Sequence, residues 1–126
     1  MKLKTNKVLF IGRKDCHYTD IAIKKLKSFG WKLNIFLSNS RNQKIPKKLL
    51  NWKGDYIFSF RSYVIIPNDL LIKASKASIN FHPSTPKYRG SGGINFALYN
   101  NDREFGCTSH LMKEKIDNGD IILVNK

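Results

Sequence analysis

Asn80 and His82 stand two residues apart where an apolar run ends, in the segment Asn80-Phe81-His82-Pro83-Ser84-Thr85-Pro86-Lys87-Tyr88-Arg89-Gly90. In an extended strand, side chains two apart share a face, so one amide and one imidazole converge on a single point. An amide N–H suits a developing oxyanion, and an imidazole suits proton transfer. Pro83, Pro86 and Gly90 restrict the loop that follows, as a preorganised site requires. The same residues also describe a plain strand end with a polar turn and an ordinary hydrogen-bonded surface histidine. A second cluster, Ile116-Asp117-Asn118-Gly119-Asp120-Ile121-Ile122, reads by composition as a turn between apolar runs. Where the chain brings it near His82, Asp117 can orient the imidazole and favour its imidazolium form.

The elements that must carry these residues follow from hydrophobic periodicity. Lys7-Val8-Leu9-Phe10-Ile11-Gly12 is a near-continuous apolar run closed by Gly, as in a strand buried on both faces of a parallel sheet. Tyr18, Ala22, Leu26 and Phe29 recur at helical spacing, with Lys24, Lys25 and Lys27 off the stripe and Gly30 as a stop. Leu33-Asn34-Ile35-Phe36-Leu37, Asp55-Tyr56-Ile57-Phe58-Ser59-Phe60 and Ala77-Ser78-Ile79-Asn80-Phe81 predict three further strands. Short helices are expected over residues 46–52 and from Pro67 through Leu70 and Leu71. A turn-rich stretch, 82–93, leads to a helix near 94–99, and residues 106–112 and 121–124 predict the final strands.

Strands alternating with helices predict a single-domain α/β fold, a Rossmann-like open, mostly parallel sheet with flanking helices and right-handed crossovers. Ligands of such sheets sit at the carboxyl ends of the strands, here from Gly12, Phe60 and Asn80 onward. Neither a Gly-x-Gly-x-x-Gly turn after the first strand nor a Gly-x-x-x-x-Gly-Lys-Ser/Thr loop occurs, so a dinucleotide or ATP site of the usual type is not supported.

Composition narrows the classes further. The chain has 126 residues, which fits one domain, and an apolar fraction of 41%, which argues against disorder. No stretch approaches the ~20 apolar residues of a membrane span. The basic start of the chain is followed by an apolar run too short for a signal peptide. Cys16 and Cys107 make neither a disulfide framework nor a zinc pattern, so a reducing, cytoplasmic setting is expected. Cys107 falls in a predicted strand and reads as a packing residue rather than a nucleophile. No His, Cys, Asp or Glu cluster has ligand spacing, and no metal is expected. Lys and Arg number 23 against 9 Asp and Glu, a formal net charge of +14. This points either to an anionic partner or to compositional drift, since 18 Lys, 12 Asn and 14 Ile against 5 Arg are what an AT-rich genome yields.

Taken together, Asn-x-His-Pro-Ser, Pro-x-Tyr-Arg-Gly, Phe-Gly-Cys-Thr-Ser-His-Leu-Met and Ile-Asp-Asn-Gly-Asp-Ile-Ile occur in an order and spacing that resemble the formyltransferase family using N10-formyltetrahydrofolate. That family includes methionyl-tRNA, glycinamide ribonucleotide and sugar N-formyltransferases. The resemblance is strong from Asp55 to Val124 and weaker from Met1 to Gly54. It implies an Asn-His-Asp catalytic set on Asn80, His82 and Asp117. It further implies that the backbone of Ser62-Tyr63-Val64-Ile65-Ile66-Pro67 holds the folate pterin, making Tyr63, Val64, Ile65 and Ile66 cofactor-binding residues, with Lys115 and Ile116 bordering the slot. Without the motif context, that segment reads as a strand-to-helix connection with a buried isoleucine pair. Phe81, Lys87, Tyr88, Arg89 and Gly90 are the expected substrate-binding residues, Lys87 and Arg89 meeting a diphosphate.

The wording Asn-Phe-His-Pro, the start Phe10-Ile11-Gly12-Arg13-Lys14-Asp15, and the segments Asn95-Phe96-Ala97-Leu98-Tyr99-Asn100 and Thr108-Ser109-His110-Leu111-Met112 resemble the sugar N-formyltransferases. These formylate the amine of a nucleotide-linked (dTDP or UDP) 4-amino-4,6-dideoxy sugar, a small-molecule substrate. The Gly-Thr-Pro-type turn usual in members acting on methionyl-tRNA is missing. Ser91-Gly92-Gly93 either lets a diphosphate come close or is a helix-entry loop. Residues 1–126 are expected to be the family's catalytic domain cut short at its C-terminal end, leaving strand 121–124 as an uncovered edge. A homodimer is expected for a protein carrying a C-terminal extension. The alternatives are methionyl-tRNA formylation, in which the charge is a phosphate footprint, hydrolysis of the formyl donor, and a non-catalytic basic binding module.

Overall fold

In the computed structural model, which describes residues 5–82, 87, 98–102, 106–112 and 121–125, strand β1 (Lys7–Arg13) lies at the heart of a six-stranded sheet. Val8, Leu9, Phe10 and Ile11 are all fully buried, because helices cover both faces of this strand. Helix α1 (His17–Ser28) returns the chain to β2 (Lys32–Ser38), parallel to β1 on one side. A 3₁₀ turn (Lys47–Asn51) leads to β3 (Gly54–Phe60), parallel on the other side. The single-turn helix α2 (Asn68–Leu71), entered through Pro67, precedes β4 (Ala74–His82), again parallel. Strands β5 (Cys107–Leu111) and β6 (Ile121–Asn125) then run antiparallel, giving the order β2-β1-β3-β4-β5-β6. The fold is the expected mixed, mostly parallel α/β sheet.

Alternation along the strands sorts the core into two layers. Leu9, Ile11 and Ile57 face α2 and the 3₁₀ turn, packing with Trp52, Ile66, Leu70 and Leu71. Val8, Phe10 and Phe58 face α1, with Ala22, Ile23, Leu26, Phe60, Ile79 and Phe81 against them. Gly12 is required where α1 crosses: a Cβ there would lie 2.8 Å from Phe10 Cε1 and 3.0 Å from Thr19 Cγ2. Gly30, at φ +75°, ends α1 in the left-handed region, its N–H donating to the Lys27 carbonyl.

The helix differs from its sequence reading in one respect. Thr19, Ala22, Ile23 and Leu26 face the sheet, whereas Tyr18 and Phe29 are 62% and 53% exposed. An arc spaced i, i+3, i+4, i+7 covers a flat sheet better than the expected stripe, and the bare Gly12 admits the Thr19 methyl into that arc. Strand β4 starts at Ala74 rather than at 77, because the chain pairs with Gly54 before a register shift. Of the expected helix near 94–99, Leu98 and Tyr99 are helical and exposed, and the rest lies outside the described residues. Among the described residues, β6 pairs only with β5 and exposes Ile121 and Leu123. No helix among them is long and apolar enough to cross a membrane.

Candidate active site

A single row of side chains crosses the sheet near its carboxyl edge and changes character as it goes. Phe36, Ile11, Ser59, Asn80 and His110 are successive register partners from β2 to β5. The row is apolar over the core and polar from β3 outward. Asn80 and His82 share the face that carries Leu9 and Ile57, as alternation requires. Ser78, two residues earlier on that face, donates its hydroxyl to the Leu71 carbonyl of α2 at 2.8 Å and so ties β4 to that layer.

Antiparallel pairing sets His110 opposite Asn80 and Thr108 opposite His82. Asn80 Nδ2 and His110 Nε2 are 3.2 Å apart, and His110 Nδ1 is 3.1 Å from the Leu111 carbonyl oxygen. The rings of His82 and His110 meet edge to face, with centroids 6.4 Å apart. His82 is 5% exposed and His110 3%, so two buried imidazoles and a half-buried amide share one corner. Interactions in such a corner are stronger than the same ones in water. His82 is therefore not the exposed histidine of a plain strand end. His110 belongs to this cluster, although sequence reasoning did not single it out. Its signal was present in the Thr108-Ser109-His110 alternation, but only the β4–β5 register assigns it to Asn80.

The remaining expected residues divide into several groups. Phe81 is a correction: strand alternation turns it to the opposite face, where its ring packs against Phe58 at 5.6 Å and Phe60 at 6.1 Å. It does not line a pocket with Asn80 and His82. Lys87 pairs with Asp102 at 3.0 Å, on the surface. Asp117, Lys115, Ile116, Tyr88, Arg89, Gly90 and the Ser91-Gly92-Gly93 segment lie outside the described residues.

The segment after β3 is held from β1. The Arg13 Nε donates to the Arg61 carbonyl at 3.0 Å, and the Arg13 guanidinium covers the Tyr63 ring at 4.3 Å. Arg61 itself sits at φ 53°, a left-handed conformation at which the chain leaves the sheet. The Val64 N–H donates to the Ser62 hydroxyl oxygen at 3.1 Å. Ile66 is buried in the α2 layer while Ile65 is 68% exposed, so the two isoleucines are not a buried pair. One anchors the segment and the other stands open at its surface.

Neither cysteine lies in this cluster. Cys107 is exposed at the start of β5, which corrects its reading as a packing residue, because it falls on the strand's outer end. Cys16 is buried at the entry to α1, and burial pushes its thiol up. Hydrogen bonding through Thr19 and Tyr18 and the positive Arg61 outweigh this, so the net direction is downward. Among the described residues, no group of three or more His, Cys, Asp or Glu side chains could hold a metal ion.

Residues 3–126 match the family model described as Formyl transferase. The chain is 39% identical over 100 residues to the bifunctional polymyxin resistance protein ArnA of Wigglesworthia glossinidia brevipalpis, covering 78% of this chain and 15% of that protein. It is 38% identical over 74 residues to GDP-perosamine N-formyltransferase of Brucella melitensis, covering 58% and 29%. It is 38% identical over 96 residues to methionyl-tRNA formyltransferase of a Hydrogenobaculum species, covering 73% and 32%. The chain thus spans between 15% and 32% of the length of these relatives. In fold, it is similar to HypX of Aquifex aeolicus in complex with tetrahydrofolic acid, with a TM-score of 0.79 at 18% identity over 97% of this chain and 21% of that one. It is also similar to the formyltransferase PseJ of Anoxybacillus kamchatkensis in complex with UDP-4,6-dideoxy-4-formamido-L-AltNAc and tetrahydrofolate. There the TM-score is 0.73 at 24% identity, over 94% of this chain and 59% of that one.

Proposed function

This chain belongs to the formyl transferase family, and from that premise we propose that it transfers a formyl group from N10-formyltetrahydrofolate to the amine of a nucleotide-linked amino sugar. Residues 1–126 are read as the catalytic domain of that activity, with Asn80, His82 and Asp117 as its catalytic set. The observation that carries the reading is the placement of half-buried Asn80 and buried His82 on one face at the carboxyl end of β4, where ligands of open α/β sheets bind.

The folate fits the chemistry of the segment after β3. Tyr63, Val64, Ile65 and Ile66 leave the sheet ladder, and Ile65 offers an apolar side chain that nothing in the core requires to be open. Such a combination of backbone outside the ladder and apolar surface suits a flat, amide-like ring. Lys115 and Ile116 border the same slot in this reading. When bound, the folate supplies the activated formyl carbon. Asn80 directs an amide N–H at the negative charge that develops on the formyl oxygen when the amine attacks. His82 takes the proton that the amine must lose and holds it for the departing nitrogen, and Asp117 orients the imidazole for that exchange. No covalent bond to the protein is needed.

Among acceptors, a small nucleotide-linked amino sugar is favoured. The relative from Brucella acts by its name on GDP-perosamine, and the PseJ structure holds a UDP-linked formamido sugar. Lys87, Tyr88, Arg89 and Gly90 are the proposed acceptor-binding residues. Methionyl-tRNA is the second reading, supported by an equally similar relative and by the net charge of +14. Competition decides between them: with N10-formyltetrahydrofolate present, the chain is offered dTDP-, UDP- and GDP-linked 4-amino sugars together with charged initiator tRNA. Formylation of a sugar is expected, and formylation of the tRNA alone would overturn the choice.

A further inference from the structure

We propose that His110 is a positioning residue that sets which end of the Asn80 amide faces the reacting formyl group. The proposal rests on the formyl-transfer reading for its kinetic consequence but not for its geometry. His110 Nδ1 lies 3.1 Å from the Leu111 carbonyl oxygen, and a carbonyl can only accept, so Nδ1 carries the proton. In the neutral ring, Nε2 is then a bare acceptor. Its partner at 3.2 Å is Asn80 Nδ2, which therefore donates one of its two hydrogens.

The consequence lies on the same nitrogen. With Nδ2 turned to β5, the amide offers a donor rather than a lone pair on that side, which in the formyl-transfer reading is the side the formyl oxygen meets. A ring with the proton on Nε2 would instead attract Oδ1 and swing the amide over by a half turn. An oxygen lone pair would then replace the donor, and repel the charge that Asn80 is meant to stabilise. His110 is buried, so the wrong orientation leaves its ring nitrogen facing a like partner, at a cost that favours the right one. Cross-strand pairing locks the arrangement, since Asn80 and His110 are direct register partners on two neighbouring strands. The His82 ring also meets the His110 ring edge to face, so the same imidazole touches both candidate catalytic groups. Whatever else Asn80 meets before substrate arrives, this contact sets which way its amide is turned.

Two measurements on the whole chain test this. Heteronuclear NMR of the ring nitrogens should show a pyrrole-type Nδ1 and a pyridine-type Nε2 on His110 near neutral pH. It should also show coupling from the Asn80 side-chain N–H into Nε2. A protonated Nε2 in that spectrum overturns the proposal, whatever reaction the protein catalyses. In the formyl-transfer assay, His110→Phe removes the acceptor and keeps the ring volume, while His110→Gln restores an acceptor oxygen near the Nε2 position. The expected result is a kcat lowered at least ~10-fold by His110→Phe with little change in KM, and a kcat within ~3-fold of the parent for His110→Gln. Equal effects of the two variants, or a KM change alone, would contradict a positioning role. If the parent transfers no formyl group, the fault lies with the functional reading, and the spectrum still decides the orientation of Asn80.

Discussion

At the scale of single residues, the candidate chemistry rests on charge that appears only as the amine attacks. His82→Ala and Asn80→Ala should therefore lower kcat by ~10² or more while leaving KM for the formyl donor nearly unchanged. Steady-state kinetics on each variant checks this, and near-normal kcat in either would remove that residue from the catalytic set. Asp117→Ala should behave like His82→Ala if the carboxylate acts through the imidazole. The double variant should then cost scarcely more than either single change, because groups acting as a unit are not additive. Asn80 and His82 were legible because strand alternation is local, and two residues on one strand need no tertiary information. His110 was not, since its partnership with Asn80 depends on a register set between residues 30 apart in the chain. Phe81 shows the reverse error: adjacency in sequence to two site residues guarantees the opposite face of the strand, where Phe58 and Phe60 hold it.

At the scale of elements, the candidate site depends on how tightly α1 and α2 clamp the sheet. Gly12→Val adds a branched side chain where even a Cβ would lie 2.8 Å from the Phe10 ring and 3.0 Å from the Thr19 methyl. It should cost ~1–3 kcal/mol, read as a lower denaturant midpoint at unchanged slope. Leu70→Ala, on α2 and fully buried, should cost ~2–5 kcal/mol in the same measurement. The second change also loosens the layer that holds Ser78 and Ile66, so it should lower activity as well as stability. The strands and helices were readable in order because their apolar periods are long and closed by Gly or Pro. The arc that α1 buries was not, since two overlapping stripes share Ala22 and Leu26 and only the shape of the sheet chooses between them.

At the scale of the whole molecule, four parallel strands deliver their carboxyl ends to one edge, and the switch to antiparallel β5 brings His110 back to it. The mostly parallel sheet was foreseeable from the alternation of strands and helices, whereas the direction of β5 depends on a connection that local patterning does not specify. The charge of +14 gives a further test. If it is compositional, formyl transfer to a small nucleotide sugar should weaken only modestly between low and moderate salt. A tRNA acceptor would bring a steep loss, with affinity falling by several powers of ten.

The central claim is that this chain moves a formyl group from folate to a sugar amine, and following the carbon itself tests it most directly. An isotopically labelled formyl carbon on N10-formyltetrahydrofolate is followed by NMR in the presence of the chain and a nucleotide-linked 4-amino sugar. The expected result is label in a new formamide on the sugar, appearing at the rate at which tetrahydrofolate is released and abolished by His82→Ala. Label recovered as free formate at that same rate, with the sugar amine unchanged, would contradict the claim and identify hydrolysis of the donor instead.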